Sequence, residues 1–178
     1  MGTVIALLLT FLVYCSNGDT YTFTVDCKDT PSSIWSFWES CTTFDHGYEA
    51  LREDFQEQLT MTHNELATEW VRFHSIFDDS VGIVNPSNPS WPYSYVNVDK
   101  IYDFVTSIKM KPLVEMDFIP SSYAPSNQLS SMYEYPVYVG PPSNHTQWYE
   151  FVKLFVEHLV ERYGSDTVAS WAFDAWYG

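Results

Sequence analysis

Side chains able to move protons or hold polar ligands recur at the ends of short apolar runs in this chain. They are Glu39 with His46 just beyond it, Arg72 and His74, Glu115 and Asp117, and Asp174. Buried strands of a parallel sheet are expected to be almost wholly apolar, so charges at these positions either find partners or line a site. By the period of two, Arg72 and His74 share one strand face, and so do Glu115 and Asp117. Carboxylates beside exposed aromatic rings fit sugar chemistry: ring faces stack on sugars, and paired carboxyl groups cleave glycosidic bonds. Trp35, Trp38, Trp91, Trp176 and Tyr123 are the candidate platforms. Each reading has a plainer counterpart. Arg72 with Glu115 reads equally as a structural ion pair, His74 as a satisfied core histidine, and the aromatics as packing.

The elements that must position these residues alternate. Ile34 to Glu39 reads as a first strand, Trp70 to His74 as a second, Pro112 to Phe118 as a third and Ser170 to Trp176 as a fourth. Between them lie three helical patterns. Leu51, Phe55, Leu59, Thr62 and Leu66 mark one over Glu49 to Leu66. Val98, Ile101, Tyr102, Val105 and Ile108 mark a second, with Asn97 as its N-cap. Trp148, Phe151, Val152, Phe155 and Leu159 mark a third, which follows Pro141-Pro142 and stops at Gly164. The order βαβαβαβ predicts an α/β fold with a parallel sheet. The stretches after strands two and three, 78–97 and 119–143, are long and irregular, as in (β/α)-barrel enzymes that build their sites from such loops. No Gly-rich phosphate turn follows the first strand, which speaks against a dinucleotide-binding sheet. Four units make an incomplete (β/α)8 TIM barrel.

The 178 residues carry 8 Lys plus Arg against 23 Asp plus Glu, a formal net charge of −15. That acidity argues against nucleic acid and against anionic membranes as partners. Aromatic residues make up 18%, which excludes a disordered acidic tail. Val4 to Tyr14 is an apolar run too short for a bilayer, which takes about 20 residues. It reads as the core of a signal peptide over 1–18, with Ser16 and Gly18 at −3 and −1 before Asp19, although no Lys or Arg precedes it. A lead-in over 19–33 and one domain over 34–178 follow. Secretion, or delivery to a lysosome-like lumen, is the expected location. Removal of the segment leaves Cys27 and Cys41, which permit one disulfide or stand as two free thiols. Asn144-His145-Thr146 is an N-glycosylation sequon. No spacing fits a zinc site, and no metal or cofactor is expected.

The blocks FWESC, ALREDFQEQL, VRFHSIFDD, YSYVNVDKIYDFV, KPLVEMDFIPS and FVKLFVEHLVERYGSDTVASWAFDAW occur in this order between residues 34 and 176. In sequence and spacing they resemble glycoside hydrolase family 39, the β-xylosidases and α-L-iduronidases on a (β/α)8 barrel. The resemblance implies that His46 is a sugar-contacting His after strand one. It places His74 on the family's Arg-x-His of strand two, and Glu115 on the Glu of its strand-three block. These three would bind the sugar where cleavage occurs.

The resemblance assigns no catalytic residue to this chain. The family's fourth strand reads Trp-x-Phe-Glu-x-Trp-Asn-Glu-Pro, and the second Glu is the acid/base. Here Tyr177 stands at the Asn and Gly178 at that Glu, while Asp174 matches the first Glu. The nucleophile belongs to a strand seven not found here. The resulting expectation is a secreted, truncated glycosidase, inactive alone, with a xyloside or uronide as ligand. The alternative is a secreted sugar-binding or interaction protein without catalysis. Four parallel strands would also leave open sheet edges, through which copies could associate.

Overall fold

A computed structural model of the chain describes residues 22–24, 37–85, 87, 92–125, 129–132 and 135–175. The chain divides into two units, 1–35 and 36–178, and every element below lies in the second. The signal segment, Cys27, Trp35, Trp91, Trp176, Tyr177 and Gly178 lie outside the described residues, as does the side chain of Trp38.

Strand β1 is Cys41–His46, β2 is Trp70–His74 and β3 is Lys111–Glu115. Along β2, buried Val71 and Phe73 alternate with half-buried Trp70, Arg72 and His74, so one face packs on helices and the other carries polar groups. A hairpin of β4 (Leu129–Met132) and β5 (Tyr135–Tyr138) stands apart from the sheet. The last strand, β6, is Ala172–Asp174. The helices are α1 (Glu53–Leu66), α2 (Val96–Ser107), α3 (His145–Tyr163) and the short α4 (Ser165–Ala169). All four sheet strands are parallel, in the order β1-β2-β3-β6. Spatial order therefore follows chain order, with no switch point of the kind a doubly wound sheet has. This is the winding of a partial (β/α) barrel, as the sequence pattern predicts.

The core lies between the sheet and the helices. Val71, Phe73 and Val114 meet Val98, Ile101, Tyr102 and Val105 of α2 and Phe151, Phe155 and Leu159 of α3, all buried. Phe77, just beyond β2, fixes α3: its ring lies 4.8 Å from both Phe151 and Phe155 and 5.6 Å from Trp148, all edge-on. Such contacts add about 0.5–1.5 kcal/mol per pair to the burial of the ring. Asn144 caps α3, its side chain accepting from the N–H groups of Thr146 and Gln147 at 3.0 and 3.1 Å. Caps of this kind are worth about 1 kcal/mol. Gly164 ends the helix at φ +83°, a conformation that favours glycine. No helix among the described residues is long and apolar enough to cross a membrane.

The structure corrects several readings. The first strand is not Ile34 to Glu39; Phe37–Glu39 forms a 3-10 turn with Phe37 and Glu39 exposed, and the strand is Cys41–His46. Thr42 and Thr43 supply β-branched stiffness there without hydrophobic alternation, so the apolar run before them gives the stronger signal. The first helix starts at Glu53, because Gly47–Leu51 is a 3-10 turn. Asn97 does not cap α2: Tyr95 precedes that helix, and Asn97 instead donates to the Val81 carbonyl at 2.9 Å. The stretch 119–143 holds the β4–β5 hairpin. Trp171 lies before β6, buried against Tyr102 and Tyr163, and Phe173 is the aromatic exposed on that strand.

Candidate functional site

Parallel register brings the polar residues to one end of the sheet. His46 pairs with His74 across β1–β2, and Glu115 pairs with Asp174 across β3–β6. The first pairing depends on a bulge. Phe44 stands opposite Phe73, but the next pair is His46 with His74, so Asp45 is the extra residue. An inserted residue reverses which side chains face the site, and here it puts a histidine where an aspartate would stand. Gly47 follows with its Cα so near Phe73 that an added Cβ would lie 3.1 Å from the ring. The missing side chain lets the chain leave β1 tightly over β2.

Glu115 is the centre of the cluster and is wholly covered, at 0% exposure. Arg72, two residues before His74 on the same face, donates from Nη2 to Glu115 Oε1 at 2.7 Å. The ion pair offered as the plainer reading of these residues is therefore present. His74 Nδ1 lies 3.0 Å from Glu115 Oε2 and 3.3 Å from Asp117 Oδ2. The in-line hydrogen bond is the one to Asp117, and Oε2 has no in-line donor among the described residues. Asp117 Oδ1 accepts from the Ser75 N–H at 2.7 Å. Burial pushes the Glu115 carboxyl up to about 7, with the Asp117 charge adding to it and His74 and Arg72 opposing it. Asp117 is also raised, first by burial, against the Ser75 N–H and His74.

His46 lies at the other side of His74 with its Nδ1 3.0 Å from Asp45 Oδ2, and its ring centroid is 5.6 Å from that of Tyr48. The structure thus gathers His74 and Glu115 directly, and His46 by register. Glu115 lies beneath its neighbours and faces Arg72 and His74. Glu39 lies in the turn before β1. Tyr123 bonds through its hydroxyl to Tyr93 at 2.8 Å and packs on Phe151, the packing role rather than an exposed platform. Cys41 is an exposed free thiol at the start of β1. Sequence reading did not single out Ser75, whose backbone stands at φ +70° behind the cluster. The only local sign of it is the break of apolar alternation directly after His74.

His74, Glu115 and Asp117 bring ligand atoms within 4.8 Å of one another, close enough to consider a metal ion. The donors present argue otherwise. Asp117 is committed through both oxygens and Glu115 through Oε1, and the Arg72 guanidinium already supplies the cationic charge. The cluster is a hydrogen-bonded ion network built to hold an imidazole and a guanidinium in fixed positions.

A singly wound parallel sheet with polar groups at the carboxyl ends of its strands is the architecture of (β/α)8-barrel enzymes. The chain belongs to the glycosyl hydrolases family 39, whose family model matches residues 21–178. It is 32% identical over 144 residues to a beta-xylosidase of Caldicellulosiruptor saccharolyticus, covering 80% of this chain and 29% of that protein. The solved structure of a monomeric beta-xylosidase from Caulobacter crescentus CB15 superposes with a TM-score of 0.70 at 31% identity, covering 76% of this chain and 27% of that one. A bacterial orthologue of human α-L-iduronidase shares the fold, with a TM-score of 0.53 at 18% identity, covering 76% of this chain and 20% of that one. The chain thus spans about three tenths of the length of the curated beta-xylosidases it matches.

The Glu115 environment makes a pH-dependent prediction. Its carboxyl is raised in the folded state, so the protonated form is favoured there and its contribution is complete below the ordinary value of 4.5. That contribution is lost as pH rises through about 7. In thermal unfolding at pH 5 and pH 8, wild type is expected to lose stability relative to Glu115→Gln by on the order of 2 kcal/mol. A difference that stays constant would mean that Arg72 keeps Glu115 ionised throughout.

Proposed function

We propose that these residues form the sugar-holding side of a family 39 glycosidase site, with a β-xyloside as ligand. The supporting observation is the polar cluster at the carboxyl ends of the strands, where His46 pairs with His74 and Arg72 and Glu115 lock together beneath. In this reading His74 offers a ring nitrogen to a sugar hydroxyl, and His46, nearly covered and held through Nδ1 by Asp45, flanks it. Glu115, fully covered, acts through Arg72 and His74. The xyloside is favoured over the uronide because the relatives above 30% identity are beta-xylosidases, whereas the iduronidase likeness is one of fold.

We infer further that residues 1–178 alone bind without hydrolysing. Retaining cleavage needs two carboxyl groups about 5–5.5 Å apart, one to protonate the leaving oxygen and one to attack. Tyr177 and Gly178 occupy the positions of the family's Asn and acid/base Glu, and no residue here matches the nucleophile. The purified chain is expected to bind methyl β-D-xyloside in calorimetry, to lose that binding in His74→Ala, and to leave 4-nitrophenyl β-D-xyloside intact. Turnover that survives Glu115→Gln and Asp174→Asn would place catalysis in groups outside this account.

Secretion is the second part of the proposal, resting on the apolar run over Val4 to Tyr14 and the sequon at Asn144. Asn144 is exposed, and only its Oδ1 is used in capping α3, so a glycan on Nδ2 is compatible with the cap. Intact mass of protein secreted from a eukaryotic host is expected to start at Asp19 and to carry hexosamine-containing mass. Secreted material that retains Met1 would contradict it.

A further inference from the structure

We propose that Asp117 is the positioning residue of this site: it sets the bend after β2 and the tautomer of His74, so that His74 meets a sugar hydroxyl through Nε2. The inference rests on the sugar-binding reading for its last step only. Three hydrogen bonds carry it. Asp117 Oδ1 accepts from the Ser75 N–H at 2.7 Å, Oδ2 faces His74 Nδ1 at 3.3 Å, and the Asp117 backbone carbonyl accepts from the Phe77 N–H at 2.8 Å. One residue thus grips the segment 74–77 at three places, His74, Ser75 and Phe77.

That segment needs gripping. Ser75 is fully buried and stands at φ +70°, a left-handed conformation that is strained for a non-glycine residue. Strain of this kind persists where surrounding structure holds it, and it concentrates at functional sites. A charge-assisted bond from a buried N–H to a carboxylate is among the stronger hydrogen bonds and offsets strain of this size. The bend has two consequences. It ends β2 at His74, which leaves the imidazole at the carboxyl end of the strand. It also turns Ile76 and Phe77 into the core, where Phe77 meets α3.

The tautomer follows from the chemistry around Nδ1. Among the described residues the two atoms that face it are carboxylate oxygens, Asp117 Oδ2 and Glu115 Oε2, and above about pH 7, where Glu115 is ionised, an ionised carboxylate only accepts. The neutral ring therefore carries its proton on Nδ1 and keeps Nε2 as an acceptor, the arrangement in which a histidine takes a hydrogen bond from a hydroxyl. Among the described residues, the charged groups around the ring are Arg72 on its own strand, Glu115 and Asp117 from β3 and its extension, and Asp174, which faces Glu115 from β6.

The test is nitrogen-15 NMR of the imidazoles in the full chain at pH 8, beside calorimetry with methyl β-D-xyloside. Wild type is expected to show His74 with Nδ1 protonated and no proton on Nε2. In Asp117→Asn, the amide oxygen can still serve Ser75, which turns the amide NH2 toward Nδ1. The proton is then expected to move to Nε2, and xyloside affinity to fall about tenfold. If that variant does not fold, Ser75→Gly with Asp117→Asn removes the strain at φ +70° and is expected to fold with the switched tautomer. Ser75→Gly alone is expected to keep the wild-type tautomer. A His74 ring that stays protonated on Nδ1 in the chains carrying Asp117→Asn would overturn the proposal and give the role to Glu115. Absence of xyloside binding in wild type would instead sink the sugar reading, and the tautomer result would still decide the role of Asp117.

Discussion

A carboxylate with no contact with solvent sits at the end of β3, and the polar end of the sheet is organised by what Glu115 requires. Leaving such a group charged and unpaired would cost several kcal/mol, so its neighbours are a guanidinium at 2.7 Å and an imidazole at 3.0 Å. Those two groups come from alternate positions of one strand, which obliges β2 to lie beside β3 in one register. Any slip by one residue would bring Val71 and Phe73 to Glu115 in place of Arg72 and His74. Pairing of the sheet and chemistry of the site are in this way the same constraint.

The second requirement falls on the chain just past the strands. Asp117 takes the Ser75 N–H and faces the His74 ring, while its own backbone holds Phe77. Phe77 in turn meets Phe151, Phe155 and Trp148 of α3. The ring that anchors a helix and the ring that belongs to the site are three residues apart on a segment fixed by one carboxylate. Packing on the helix side and geometry on the polar side are coupled through that segment.

How much of this the sequence displays depends on periodicity. Trp70 to His74 alternates so cleanly that its bounds are legible to the residue, and the apolar faces of α2 and α3 are equally plain. The nearness of Arg72, His74 and Glu115 is legible too, since a parallel sheet of consecutive strands leaves them little choice. β1 is not, because Thr42 and Thr43 lack hydrophobic contrast and Phe37 and its neighbours look more strand-like than they are. The bulge at Asp45 leaves no periodic trace, and the left-handed Ser75 leaves only the end of the apolar alternation: each is a single-residue departure. The family blocks, by contrast, mark the barrel winding that the sheet order bears out.

The central claim is that the carboxyl ends of these strands form one sugar-holding site around the Arg72–Glu115–His74 network. A crystal structure of the chain with methyl β-D-xyloside tests it most directly. The xyloside is expected beside His46 and His74, with a hydroxyl within hydrogen-bond distance of the His74 Nε2 and the Arg72–Glu115 pair intact beneath. A xyloside seated elsewhere, as in the cleft of about 450 Å³ lined by Tyr93, Tyr123 and Gln147, would contradict it.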